Sequence, residues 1–115
     1  MIRYLVTLGF TVLTLGGCKI VIDAPHNGEV VTSFGENDCP ANTVCEIEVT
    51  DTDFNDTFRA VAAKGQQFLG WQKGDGYFCG GRKNDCALST EGFSGNAVLM
   101  SILRSDREFY LTPVF

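Results

Sequence analysis

Five cysteines constrain this chain more than any other feature of its sequence. Cys18 stands alone behind a pair of glycines, while Cys39 and Cys45 form one close set and Cys79 and Cys86 another. Four cysteines allow three connectivities. Two local bridges, Cys39–Cys45 and Cys79–Cys86, are favoured because each would close a mostly polar, turn-rich stretch, Pro40 to Val44 in one and Gly80 to Asp85 in the other. Loops this short gain about 2–2.5 kcal/mol each in the chain-entropy account of disulfides. Zinc is the competing use of four thiols. Its ligand pairs usually sit two to four residues apart, whereas five and six residues intervene here.

The amino-terminal segment decides between these uses. Met1 to Tyr4 carry one cation, Arg3, and Leu5 to Leu15 is an uncharged, largely apolar run. A permanent membrane helix needs about 20 residues, so this run has the length of a signal-peptide core instead. It ends in Leu15-Gly16-Gly17-Cys18, which resembles the bacterial lipobox: an aliphatic residue, two small residues, then cysteine. The resemblance implies a leader over residues 1–17, cleavage before Cys18, and a single mature domain over residues 18–115. It also implies a diacylglyceryl group on the Cys18 thiol, with acyl chains such as palmitate. One acyl chain holds a protein to a membrane only marginally, and two or more hold it stably. Lys19 follows, where an aspartate would commonly signal inner-membrane retention, so the expected address is the cell envelope, and the outer membrane if the source is Gram-negative. An exported domain meets an oxidising compartment, which favours disulfides over zinc.

Charge narrows the partners. The chain carries −5 at neutral pH, and loss of Arg3 with the leader would leave eight basic against fourteen acidic side chains, or −6. Such a chain gains nothing from counterion release, which argues against nucleic acid. It is not drawn electrostatically to anionic headgroups either. Membrane attachment therefore rests on covalent lipid.

Beyond Cys18 the pattern reads as short strands and tight turns. Lys19–Asp23, Glu29–Ser33, the alternating Glu46–Thr50 and Thr57–Ala63, Gln67–Gln72 and Phe109–Phe115 read as strands. In Glu46–Thr50 the isoleucine and valine point inward, and Phe58, Ala60 and Ala62 share one face of the next strand. Gly35 to Val44 and Lys73 to Cys86 read as the two bridged loops. Asn96 can cap a short helix through about Arg104, with Val98, Leu99, Ile102 and Leu103 on one side. The fold class expected is mainly β with one short helix near residues 96–104.

Several of these residues also carry a family resemblance. Gly28-Glu29-Val30, then Cys39 and Cys45, Thr57 to Ala62, Gly65, Phe68-Leu69-Gly70-Trp71, Cys79-Gly80, Cys86 and a closing Pro113-Val114-Phe115 resemble the bacterial repeat domain related to the internalin B-repeat. The resemblance covers most of residues 18–115, and its most specific part is Phe-x-Gly-Trp followed by a bridged, glycine-rich loop. It departs from the family in a longer stretch between Cys45 and Thr57 and a longer segment after Cys86. It implies a β-grasp-like small sheet, exported or surface location, and a structural or binding role without catalytic residues. The family often occurs in tandem, and only one copy is present here.

The chain offers little to enzyme chemistry. His26 is its only histidine and lies in a Pro-His-Asn-Gly turn. Gly92 to Asn96 lacks the final glycine of a nucleophile elbow. Asp51-Thr52-Asp53-Phe54-Asn55 imitates the start of a calcium loop, but Asp56 stands where glycine is needed and Ala62 where a bidentate glutamate belongs. Gly76 to Gly81 has the glycine spacing of a phosphate loop, yet Arg82-Lys83-Asn84 replaces its lysine and hydroxyl. No catalytic, metal or cofactor residues are assigned. Trp71, Tyr77 and Phe78 remain as candidate ligand contacts, since rings on a rigid loop can stack on sugars or anchor a protein partner. Trp71 and Phe68 are also expected in the core. The expected role is thus a lipid-anchored envelope domain with a structural or surface-interaction task. A glycan-binding module, and an envelope hydrolase or its inhibitor, are the alternatives.

Overall fold

A computed structural model describes residues 17–115, so all of the expected leader but Gly17 lies outside the described residues. Among the described residues there are eight strands: β1 (Cys18–Ala24), β2 (Gly28–Thr32), β3 (Thr43–Val49), β4 (Asn55–Ala62), β5 (Gly70–Trp71), β6 (Cys86–Ser89), β7 (Glu108–Leu111) and β8 (Pro113–Val114). One α-helix, α1 (Ala97–Arg104), lies between β6 and β7, preceded by a single 3₁₀ turn over Glu91–Phe93. The protein is mainly β, 41% strand and 11% helical, with two local disulfides.

Strands β3, β1 and β7 form one sheet, β2, β4 and β6 a second, and β5 pairs with β8. Within the first sheet β1 is central, antiparallel to β3 and parallel to β7. Antiparallel strands can be joined by a short hairpin, but a parallel pair needs a longer crossover. The chain supplies it by way of the second sheet and α1, which returns it to β7.

Alternation explains which faces meet. In β1, Cys18, Ile20, Ile22 and Ala24 are buried while the residues between them reach outward, the period-two signature of a half-covered strand. Val49 of β3 is buried with them, and the cysteine and isoleucine of that strand are half-buried on the same face. Strand β4 turns Asp56 and Phe58 inward with Ala60 and Ala62 half-buried beside them. These faces, with Val30, Trp71, Leu103 and Leu111, make one core.

The helix begins as its sequence dictates. Asn96 is extended and its Oδ1 accepts the N–H groups of Val98 and Leu99, each at 3.1 Å, which satisfies two of the amides a helix start leaves free. Leu103 is its one fully buried residue, and Leu99, Met100 and Ile102 are half-buried. Val98, expected on the inner side, is instead 69% exposed.

Three strand boundaries differ from the expected ones for identifiable reasons. Strand β3 begins at Thr43, inside the stretch read as the first bridged loop, because Thr43 and Val44 extend its ladder along Ala24 and Asp23 of β1. The segment read as one strand over Phe109–Phe115 is two, because the chain changes sheets at Thr112: β7 pairs with β1 and β8 with β5. The segment read as Gln67–Gln72 forms a ladder over Gly70–Trp71 only, although Leu69 and Gln72 still donate to the carbonyls of Val114 and Thr112 at 2.7 and 2.8 Å. Its partner Pro113 has no N–H to give, which keeps this ladder short. Strand β6 was not expected. It is four residues long, with no periodicity of its own, and is specified by its pairing with Asn55–Phe58.

A buried carboxylate fastens the second sheet. Asp56 is 6% exposed. Its Oδ1 accepts the N–H groups of Ser33 and Thr57 at 3.2 and 2.9 Å, and its Oδ2 accepts from the Asn37 amide at 3.0 Å. Asp56→Ala would take this partner from the Thr57 N–H and the Asn37 amide, while the Ser33 N–H keeps the Thr57 carbonyl at 3.1 Å, and a buried donor without a partner costs about 1–3 kcal/mol. The expected result is a lower urea midpoint with an unchanged slope. Asp56→Asn, which keeps one acceptor oxygen, is expected to lose less.

Candidate functional site

The disulfides fix two loops, and the candidate aromatics flank the second. Cys39–Cys45 and Cys79–Cys86 are the pairs formed, each with Cα atoms 5.9 Å apart, within the range a disulfide spans. Cys39 and Cys86 are fully buried. Each bridge therefore ties a surface loop to the core instead of joining two solvent-exposed points.

The glycine-rich loop is held against Trp71. The N–H of Trp71 donates to the Arg82 carbonyl at 2.9 Å, and the N–H of Gly81 returns to the Trp71 carbonyl at 2.7 Å. The indole N–H donates to the Asn84 carbonyl at 2.9 Å. Gly70 makes this approach feasible, with φ +128° and the Arg82 carbonyl oxygen 3.1 Å from where a Cβ would stand. Trp71 is 2% exposed, and Phe68 lies edge-on to it with ring centroids 5.2 Å apart. Phe68 also meets Phe115 at 5.9 Å, and the Phe115 ring occupies the place a side chain at position 28 would need. Gly28, Phe68, Trp71 and Phe115, separated in sequence, thus pack together.

The other two candidate aromatics lean on β7. Tyr77 packs against Tyr110 at 5.2 Å, and Phe78 stacks on Phe109 at 5.2 Å, 19° from parallel. Tyr77 pairs with Tyr110 through an isolated bridge, so this loop also covers the outer edge of β7. Both rings are half-buried. The Tyr110 hydroxyl faces Glu108, whose negative charge raises its pKa above that of an ordinary tyrosine. Of the three ring residues singled out in the sequence, Trp71 has its face in the core, and Tyr77 and Phe78 each offer one half-covered side. Among the described residues the large apolar side chain most open to solvent is Phe34, 80% exposed in the turn after β2, which no local pattern in the sequence marked out.

His26 is exposed in the turn between β1 and β2. The acidic turn after β3 folds on itself: the Asp53 N–H donates to Asp51 Oδ1 at 2.9 Å, and the Thr90 hydroxyl donates to the Asp51 carbonyl at 2.9 Å. No group of three or more histidine, cysteine or acidic side chains close enough to hold a metal occurs among the described residues. Likewise, no described helix is long and apolar enough to cross a membrane.

Cys18 is the free cysteine. It opens β1, opposite Val49, and is 7% exposed. Burial raises its pKa, the larger of two opposed effects, so the thiol keeps its proton at neutral pH. Residues on both sides are tied down: the N–H of Gly17 donates to the Ser105 carbonyl at 3.0 Å and that of Lys19 to the Arg107 carbonyl at 2.9 Å.

Beside Cys18 lies a cavity of about 250 Å³. Cys18 and Ile20 of β1 and Val49 of β3 form one wall, Leu99 and Ile102 of α1 another, and the rings of Phe54, Phe78, Phe93 and Phe109 much of the remainder. Among the described residues that line it, Ser89 and Thr90 alone bear hydroxyls. The Thr90 hydroxyl is engaged, donating to Asp51 and accepting from the Phe54 N–H at 3.1 Å. A space so lined excludes charged ligands, since nothing in it would replace their water. Comparison of the chain with protein-family models, with curated proteins and with solved structures finds no match.

Proposed function

We propose that this chain is the precursor of a bacterial lipoprotein whose mature domain, residues 18–115, is held to the cell envelope by lipid on Cys18 and serves a structural or surface-interaction role without catalysis. The observation that carries the reading is the order Arg3, the apolar run Leu5 to Leu15, then Leu15-Gly16-Gly17-Cys18. Two further features support it. Cys18 is the one cysteine left out of the bridges, and the first strand of the fold starts at that residue. The resemblance to the repeat domain related to the internalin B-repeat supports a binding or structural role over an enzymatic one.

The chemistry is a transfer followed by a hydrolysis. The Cys18 thiolate displaces the headgroup phosphate from the diacylglyceryl carbon of a phospholipid. The S–C bond forms, the C–O bond to phosphate breaks, and the thiol proton goes to solvent. Water then cleaves the Gly17–Cys18 peptide bond. Both steps need access to atoms that the fold buries, and the first needs a thiolate that burial disfavours. Processing therefore precedes folding around Cys18.

Labelling with palmitate in a bacterial host tests the reading. The wild-type chain is expected to incorporate label, to partition with membranes and to yield a mature mass beginning at an acylated Cys18. Cys18→Ser is expected to lose the label and accumulate at precursor mass. Membrane partition and mature mass unchanged in Cys18→Ser would refute the anchor.

A further inference from the structure

The Cys18 side chain is part of the cavity wall, so whatever is attached to its sulfur starts inside an apolar chamber. No linker separates that sulfur from the fold, because Cys18 is itself the first residue of β1 and pairs with Val49. Lipid on Cys18 consequently has two exits. Either the start of β1 peels from β3 and β7 to release it, or the hydrocarbon runs through the space beside the sulfur. The first exit breaks the paired end of the central strand. The second places methylenes against Ile20, Leu99, Ile102 and the surrounding rings, removing apolar surface from water on both sides. A dry apolar cavity of about 150 Å³ already admits a benzene ring, and the space here is about 250 Å³.

We propose, on the basis of the lipoprotein reading above, that this cavity takes up part of one acyl chain of the lipid on Cys18. The domain would then be docked by its own anchor with β1 intact, instead of trailing from it.

The domain of residues 18–115 contains every strand, the helix and both bridges of the described fold. With four of the five cysteines bridged, Cys18 is its one free thiol. The test attaches a decyl chain to that sulfur with decyl methanethiosulfonate, under mild denaturation followed by refolding, with the methyl reagent as control. The decyl adduct is expected to melt on the order of 5 °C or more above the methyl adduct. Its methyl-group NMR shifts should move at Ile20, Leu99 and Ile102 while those of the second sheet stay in place. Leu99→Trp, or Ile102→Phe if the first variant fails to fold, fills the space and should abolish the difference between adducts. A decyl adduct that melts no higher than the methyl adduct, with the wall shifts unmoved, overturns the proposal. So does free decanol filling the cavity of the Cys18→Ser domain while an attached chain does not, since the chamber then serves a soluble lipid. The palmitate experiment stands apart: absent label refutes the anchor, whereas the adducts report on the cavity alone.

Discussion

Trp71→Ala is expected to destabilise the domain by about 3–5 kcal/mol, the usual range for removing a large buried ring. The total stability of a domain this size is about 5–10 kcal/mol, so the variant is expected to be partly unfolded at 37 °C. Three losses combine. The ring is 2% exposed, its edge-to-face contact with Phe68 disappears, and the Asn84 carbonyl loses the indole N–H. Trp71→Phe keeps most of the apolar area but not the donor and should recover much of the loss. Urea unfolding followed by far-UV circular dichroism separates these cases. A Trp71→Ala domain within about 1 kcal/mol of wild type would show that the ring is not a core element. The same measurement bears on the glycan alternative. A ring buried to this degree cannot stack on a sugar unless the bridged loop opens, so the cost of its removal should appear in stability before any ligand is added.

Reducing both disulfides is expected to have a comparable effect. Each closes a short loop and contributes about 2–2.5 kcal/mol, and the two together about 4–5 kcal/mol. For a domain of about 100 residues this lowers the melting temperature by on the order of 20–30 °C. The loss should not be confined to the loops, because Cys39 and Cys86 are themselves in the core, with Cys86 paired opposite Phe58. Thermal melts with and without dithiothreitol check this, and Cys39→Ser and Cys79→Ser apportion the effect between the bridges. Cys18→Ser in the lipid-free domain provides the control, since that thiol bridges nothing. Coincident oxidised and reduced melts would show that packing alone holds the fold.

How much of this was legible depended on whether the signal was local. The bridges were readable because each joins residues only six or seven apart in a polar stretch. The helix was readable from Asn96 and the apolar spacing after it, and β3 and β4 from strict alternation. Strand β6 was not, because four residues carry no period and its identity comes from β4. The division of the last segment between two sheets was also hidden, since nothing at Thr112 announces a change of partner. The cavity was the least accessible feature. Its walls draw on residues from Cys18 to Phe109, and no short motif records that these side chains leave a gap between them. Sequence alone could single out Cys18 as a chemical group, but not the surroundings into which its sulfur points.

The parallel pairing of β1 with β7 bears on when the molecule can become itself. Lys19 stands opposite Glu108, so the strand made first gains its second neighbour only after 89 further residues have been delivered. Contacts this distant along the chain form slowly, because the entropy of closing the loop is lost before any pairing repays it. A polypeptide emerging amino end first from a translocation channel would accordingly keep this strand half-matched until β7 arrives. Connectivity alone thus provides a built-in delay, which on the proposed lipoprotein reading leaves the start of the chain open to the enzymes that process it.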